Sequence, residues 1–260
     1  RPHGIILICG PTGSGKTTSV YAILKIVNTR EKNITTIEEP VEYRIKGVNQ
    51  IQVNPKTNLT FANGLRSILR QDPNVIFVGE IRDSETAGIA VNAALTGHLV
   101  LSTVHTNDAA TTLPRLIDMK IEPFLVASTV NVIIAQRLVR KICDSCKSPV
   151  ILNRKDALKD IPDNVITKHF GPQDQIRVYE GKGCRICHAT GYTGRIGIFE
   201  VIDMSEKIRE LITQKSDSDE IAKQAIEEGM TTMLDDGMQK VGKGMTTIKE
   251  VLRVTKVESG

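Results

Sequence analysis

A parallel α/β fold organised around a phosphate-binding loop is the architecture the sequence predicts, and three observations predict it. Residues 4–18 read GIILICGPTGSGKTT, an apolar run closed by a glycine-rich turn. Residues 75–83 read VIFVGEIRD, a second apolar run that ends in acids. Stretches with helical spacing alternate with these runs. Short, wholly apolar segments suit strands covered on both faces of a parallel sheet.

The first run, Gly4 to Cys9, is a buried strand, and Thr18 to Val27 has helical spacing through Ala22, Ile23, Ile26 and Val27. Between them Gly10 to Thr17 fits G-x-x-x-x-G-K-[ST]. Glycines there let successive N–H groups turn inward onto the oxygens of a polyphosphate. The binding set is Gly10, Pro11, Thr12, Gly13, Ser14, Gly15, Lys16, Thr17 and Thr18. Lys16 supplies charge to the β and γ phosphates of ATP, and the Thr17 hydroxyl completes the coordination of Mg²⁺. The plainer alternative is a glycine-rich turn. It does not explain why the motif follows a strand and opens a helix.

Residues 34–43, ITTIEEPVEY, are a β-rich run that breaks into Glu38, Glu39 and Glu42 around Pro40. Acids at a strand's carboxyl end face the ligand crevice of an open α/β sheet, so Glu38 and Glu39 can orient a water or hold Mg²⁺ through one. A solvated turn is the other reading. Residues 44–60 suggest one or two peripheral strands without a role. Thr60 to Leu69 is helical, and Asp72 and Pro73 end that segment. The strand from Val75 to Asp83 then places Glu80 to bind the metal shell or polarise water.

Glu85 to Leu95 is an alanine-rich helix with Gly97 after it. His98 opens the strand HLVLSTVHT and His105 closes it. As a pair they suit hydrogen bonding to a γ-phosphate or its neighbouring acids; singly, each reads as a structural histidine. Thr111 to Met119 and Pro123 to Leu138 are expected to be helices. Cys143-x-x-Cys146 and Cys184-x-x-Cys187 follow, separated by residues 147–183. Two such knuckles are the pattern of a closed, structural Cys₄ zinc site, with a disulfide or redox pair as the alternative. Cys9 reads as a small buried side chain and His188 as surplus to four thiolates. TGYTGRIGIFEVI reads as a return to the main sheet or a small hairpin. Glu206 to Thr213, Ser218 to Glu228, Thr231 to Val241 and Thr247 to Val254 complete the chain as helices, with Asp217 or Ser218 as an N-cap. The expected division is a core over 1–140, a zinc lobe over 141–198 and a helical lobe over 199–260.

The 260 residues carry 40% hydrophobic and 25% charged side chains and a net charge of +4. No stretch approaches the roughly 20 apolar residues of a membrane span. Five cysteines beside a phosphate loop point to a reducing, cytoplasmic setting. The chain opens at Arg1 and enters its first strand at once, so it reads as a piece of a longer protein.

Together these motifs resemble the C-terminal half of the assembly ATPases of type II secretion and type IV pilus systems, along essentially the whole chain. The resemblance is carried by GPTGSGKTT, ITTIEEPVEY, LRQDPNVIFVGEIRDSETA, TGHLVLSTVHTN, AQRLVRKICDSC, GCRIC and GYTGRIGIFE. It implies a RecA-like P-loop NTPase core in which Glu80 is the Walker B glutamate, Glu38 the acid-box glutamate, and His98 and His105 the histidine box. It implies zinc on the four cysteines and a homo-hexameric ring. That ring would work with platform proteins at the cytoplasmic face of the inner membrane, peripheral to it and not spanning it. An upstream domain would supply arginines to the site. The tetracysteine lobe disfavours the retraction ATPases. The family usually has Glu-Asp before the box proline, where this chain has Glu38-Glu39; the extra methylene moves the second carboxylate and leaves Glu38 and Glu80 as the primary candidates. Two other readings stay open: a nucleic-acid motor, disfavoured by 3% aromatics and no Trp, and an adaptor gated by nucleotide binding alone.

Overall fold

The structure, a computed structural model, describes residues 2–157 and 159–255. The chain opens with β1 (Gly4–Cys9), α1 (Lys16–Val27), β2 (Ile34–Glu38), β3 (Asn49–Gln52), α2 (Phe61–Leu69) and β4 (Val75–Val78). It continues with α3 (Ser84–Leu95), β5 (Leu99–Val104), α4 (Thr112–Asp118), α5 (Pro123–Thr129) and β6 (Val130–Ile142). After these come β7 (Lys147–Asn153), α6 (Arg154–Ala157), α7 (Asp163–Phe170), β8 (Gln175–Gly181) and β9 (Tyr192–Asp203). The helices α8 (Glu206–Thr213), α9 (Ser218–Glu227), α10 (Met233–Gly242) and α11 (Ile248–Thr255) complete the described elements.

One sheet has the order β3-β2-β4-β5-β1-β6-β9. Its pairings from β3 through to β6 are all parallel. Strand register aligns the carboxyl ends: Gly4 pairs with Leu99 and Cys9 with Val104, while Val78 lies opposite Ser102. The turns after β1, β2 and β4 therefore open on one edge, where ligands bind in such sheets. Ile8, Val20, Tyr21, Leu24, Ile34, Phe77 and Leu101 form a buried cluster under α1. Burying each such side chain contributes about 1.5–3 kcal/mol, which fixes the helix that follows the loop.

The expected helix Pro123–Leu138 is corrected. It stops at Thr129, and Val130–Ile142 is a strand beside β1. Val130, Val132, Ile133 and Ile134 are β-branched and stiff at χ1, which favours a pleated surface. The stretch after the second knuckle does return to the large sheet, as β9. Within the expected zinc lobe the insert between the knuckles forms a hairpin-like pair, β7 and β8 running antiparallel from Lys147–Gly181 to Asn153–Gln175.

The chain divides into two compact units rather than three. One comprises Arg1–Ala135 and Val201–Met230; the other comprises Gln136–Glu200 and Thr231–Gly260. The terminal helices are thus shared out: α8 packs on α5 in the first unit, and α10 packs on α7 and α11 in the second.

Candidate nucleotide site and tetracysteine centre

The phosphate loop turns on backbone that other residues rarely adopt. Gly13 has φ 79° and Gly15 φ 88°. A Cβ on Gly13 would meet nothing within 4 Å, so the dihedral alone demands glycine there. Gly15 is also the N-cap of α1 and offers no side-chain cap, and the positive end of the helix dipole there favours an anion. Lys16 is buried, and its ammonium donates to the carbonyls of Gly10 at 2.7 Å and Pro11 at 3.1 Å. Ser14 is buried, Pro11 and Thr17 are half-buried, and Thr12 and Thr18 are exposed. N–H donors, a cation and a hydroxyl converge here. That donor set fits a nucleotide polyphosphate, and Thr17 is the residue that would hold its Mg²⁺.

The two box acids part company. Glu38 is 2% exposed and accepts hydrogen bonds from the hydroxyls of Tyr21 and Thr36 and, at 3.2 Å, from Gln50 Nε2. Burial, then the adjacent Glu38 carboxylate, pushes the Tyr21 phenol well above its usual range. Glu39 is exposed and faces Arg82, whose Nη1 is 3.5 Å away. The other arm of Arg82 reaches Glu80 Oε1 at 2.5 Å, while His105 Nε2 stands 3.3 Å from Glu80 Oε2. Glu80 follows the end of β4 by two residues, its backbone held between Gly79 N–H to Ile37 O at 2.8 Å and Ile81 N–H to Thr103 O at 3.0 Å.

The structure therefore brings together Glu80, His105, Glu39 and Arg82, and buries Glu38 beside them under α1. It does not bring His98 to this group. His98 precedes β5 at the amino edge, where its Nδ1 meets Ala93 O at 2.8 Å and Thr96 Oγ1 at 3.1 Å. The seven residue steps across β5 separate it from His105 by about 23 Å at roughly 3.3 Å per residue. Arg82, Tyr21 and Gln50 were not among the sequence candidates. The basic residue two places after Glu80 in GEIRD was the available signal for the first; the other two come from separate elements and left none.

Cys143, Cys146, Cys184 and Cys187 form a cluster whose sulfurs all lie within 4.8 Å of one another. The pairs Cys143–Cys184 and Cys146–Cys187 are 3.8 Å apart and Cys184–Cys187 3.7 Å. A tetrahedron with zinc–sulfur bonds of about 2.3 Å has edges of about 3.8 Å, and the thiols are free of disulfides. Burial opposes ionisation of Cys187. The N–H groups of Cys184 and Gly191, donating to its sulfur at 3.1 Å and 3.3 Å, outweigh burial and hold the thiol down to about 6. The donor set fits a tetrathiolate metal. Cys9 is buried in β1, its thiol 3.3 Å from Asp108 O.

The family model described as "Type II/IV secretion system protein" matches residues 1–253. The chain is 49% identical over 259 residues to the type II secretion system protein E of Pseudomonas aeruginosa, covering 99% of this chain and 50% of that one. It is 47% identical to the type IV pilus assembly ATPase PilB of Thermus thermophilus, over 98% of this chain and 28% of that one. The chain thus spans half or less of the length of these relatives. Among solved structures, the pilus retraction motor PilT with bound ADP superposes with a TM-score of 0.72 at 29% identity, over 99% of this chain and 63% of that one. The Legionella pneumophila ATPase DotB shares the fold at a TM-score of 0.67, with coverage of 98% and 60%.

Proposed function

The chain belongs to the type II/IV secretion system protein family, and from that premise we propose that it hydrolyses ATP to ADP and phosphate with Mg²⁺, as part of a motor that assembles a type II secretion pseudopilus or a type IV pilus. What supports the proposal is that the phosphate loop bearing Lys16, after β1, and the buried Glu80, after β4, leave the same carboxyl edge of the sheet. The nucleotide phosphates take over the Lys16 ammonium from the carbonyls of Gly10 and Pro11. The Thr17 hydroxyl would hold Mg²⁺, which would supply charge neutralisation of the phosphates. Glu80 orients and deprotonates the attacking water, and His105 stands 3.3 Å from its second oxygen. Glu38 supports the strand end from beneath, its carboxylate accepting from Tyr21, Thr36 and Gln50. His98 ties the end of α3 to the start of β5 and is given no catalytic part within the chain.

In this reading the tetracysteine cluster carries a structural zinc. The working assembly is a homo-hexamer at the cytoplasmic face of the inner membrane, against platform proteins of the machine, and nucleic acid is not a partner. Among the described residues no helix is long and apolar enough to cross a membrane.

Steady-state ATP hydrolysis over a protein concentration series tests the function. Specific activity that rises with concentration and disappears in Glu80→Gln supports an ATPase completed between subunits. Lys16→Ala should lose nucleotide binding itself. A Lys16→Ala chain with wild-type turnover defeats the proposal.

A further inference from the structure

Arg82 was not among the sequence candidates, yet its guanidinium is the group through which two carboxylates of the site meet. Glu39 and Glu80 leave the ends of adjacent strands, β2 and β4. Two like charges so placed repel, and a planar fork with a donor for each removes the repulsion and fixes both carboxylates. Arg82 makes that fork, at 2.5 Å to Glu80 and 3.5 Å to Glu39. Its backbone is pinned on either side. Ile81 donates to Thr103 O at 3.0 Å, and Asp83 caps α3 by accepting from Thr86 N–H at 2.8 Å and the Thr86 hydroxyl at 3.0 Å. The side chain is 61% exposed while that of Glu80 is only 11% exposed, so the guanidinium covers a nearly buried carboxylate from the solvent side. The hydrogen bond to Glu80, with the charges of Glu80 and Glu39, holds the guanidinium above its ordinary range.

We infer that Arg82 is a positioning residue for hydrolysis, which binds Glu39 and Glu80 into one unit at the carboxyl edge, and that Glu39, not the buried Glu38, is the second carboxylate of the site. The inference rests on the ATPase reading above. The bridge depends on side-chain length. An aspartate at position 39 ends one methylene short of a guanidinium that Glu39 itself meets only at 3.5 Å. Glu38 cannot substitute, because its oxygens are engaged by Tyr21, Thr36 and Gln50.

The test is a double-mutant cycle on turnover, with nucleotide affinity measured separately by fluorescent ATP-analogue binding. Arg82→Ala should lower kcat about tenfold or more, as expected when a reacting group is released from its position, with the nucleotide Kd held within about twofold. Arg82→Lys should recover part of the loss, since an ammonium lacks the fork needed to meet both carboxylates. Glu39→Gln and Glu39→Asp should each lower kcat, and Arg82→Ala combined with Glu39→Gln should lose no more than Arg82→Ala alone. Unchanged kcat in Arg82→Ala, full additivity in the double variant, or a loss that appears in Kd and not in kcat overturns the inference and leaves the ATPase reading standing. A wild-type chain that binds ATP but never hydrolyses it, at any protein concentration, overturns both. A cycle on thermal unfolding between Arg82→Ala and Glu39→Gln reads the bridge without turnover, and zero coupling there also rejects it.

Discussion

On an extended chain neighbouring side chains leave opposite sides, and Glu38 and Glu39 show what that does to two carboxylates of equal chemistry. One is enclosed by three donors; the other reaches solvent and a guanidinium. Removing a single donor from the enclosed acid, by Tyr21→Phe, should lower the unfolding free energy by about 1–3 kcal/mol, the cost of an unmet buried acceptor. Urea titration of wild type and variant checks this. Position in the motif led the sequence analysis to Glu38, because it reads which residues are acids and not which way each points. The donors to Glu38 come from α1, β2 and β3, and only the assembled sheet gathers them. The glycine-rich turn between β1 and α1 was legible, since its glycines, lysine and threonines lie together in sequence.

Most elements could be read because their signals are local. Thr60, Asp83, Ser205, Asp217 and Thr232 each cap the helix that follows them, through a side-chain oxygen accepting a first-turn N–H. The α5–β6 junction could not be read this way. Val126, Val130, Ile133 and Ile134 satisfy helical spacing, and their seat beside β1 is decided by a pairing partner far away in sequence. The helix α11 shows a different kind of control. Glu250 is buried, and although burial opposes its ionisation, Arg140 and Arg253 hold its carboxyl down to about 2. A carboxylate depressed from 4.5 stabilises the fold above that pH, and the contribution fades as pH falls toward the folded value. The melting-temperature advantage of wild type over Glu250→Gln should therefore be full at pH 7 and narrow below about pH 4.5. Thermal melts across that range measure it.

At the scale of the molecule, the sequence predicted three consecutive segments, whereas the two units are interleaved along the chain. Such sharing has no local signature: α8 and α10 are alike in length and capping, and only their packing against α5 or α7 assigns them. The interleaving makes metal removal selective. Chelation of a structural metal withdraws folding free energy from the unit that holds it. Hydrogen exchange should quicken in residues 143–153 and 175–191 and stay slow in β1 and β5. Uniform loosening, or none, would refute a structural zinc. The sheet order also sets a timetable. The strand β1, which carries the phosphate loop, pairs on one side with β5 and on the other with β6, strands that begin at Leu99 and Val130. Pairings so distant in sequence form late, so a chain emerging from the ribosome shows the bare run GIILIC until residues beyond 130 are made. The strand β1 is therefore among the last of this sheet to be enclosed. The burden of keeping it from aggregating falls on the interval of synthesis, and a chain ended at Thr129 should precipitate where the whole chain stays dissolved.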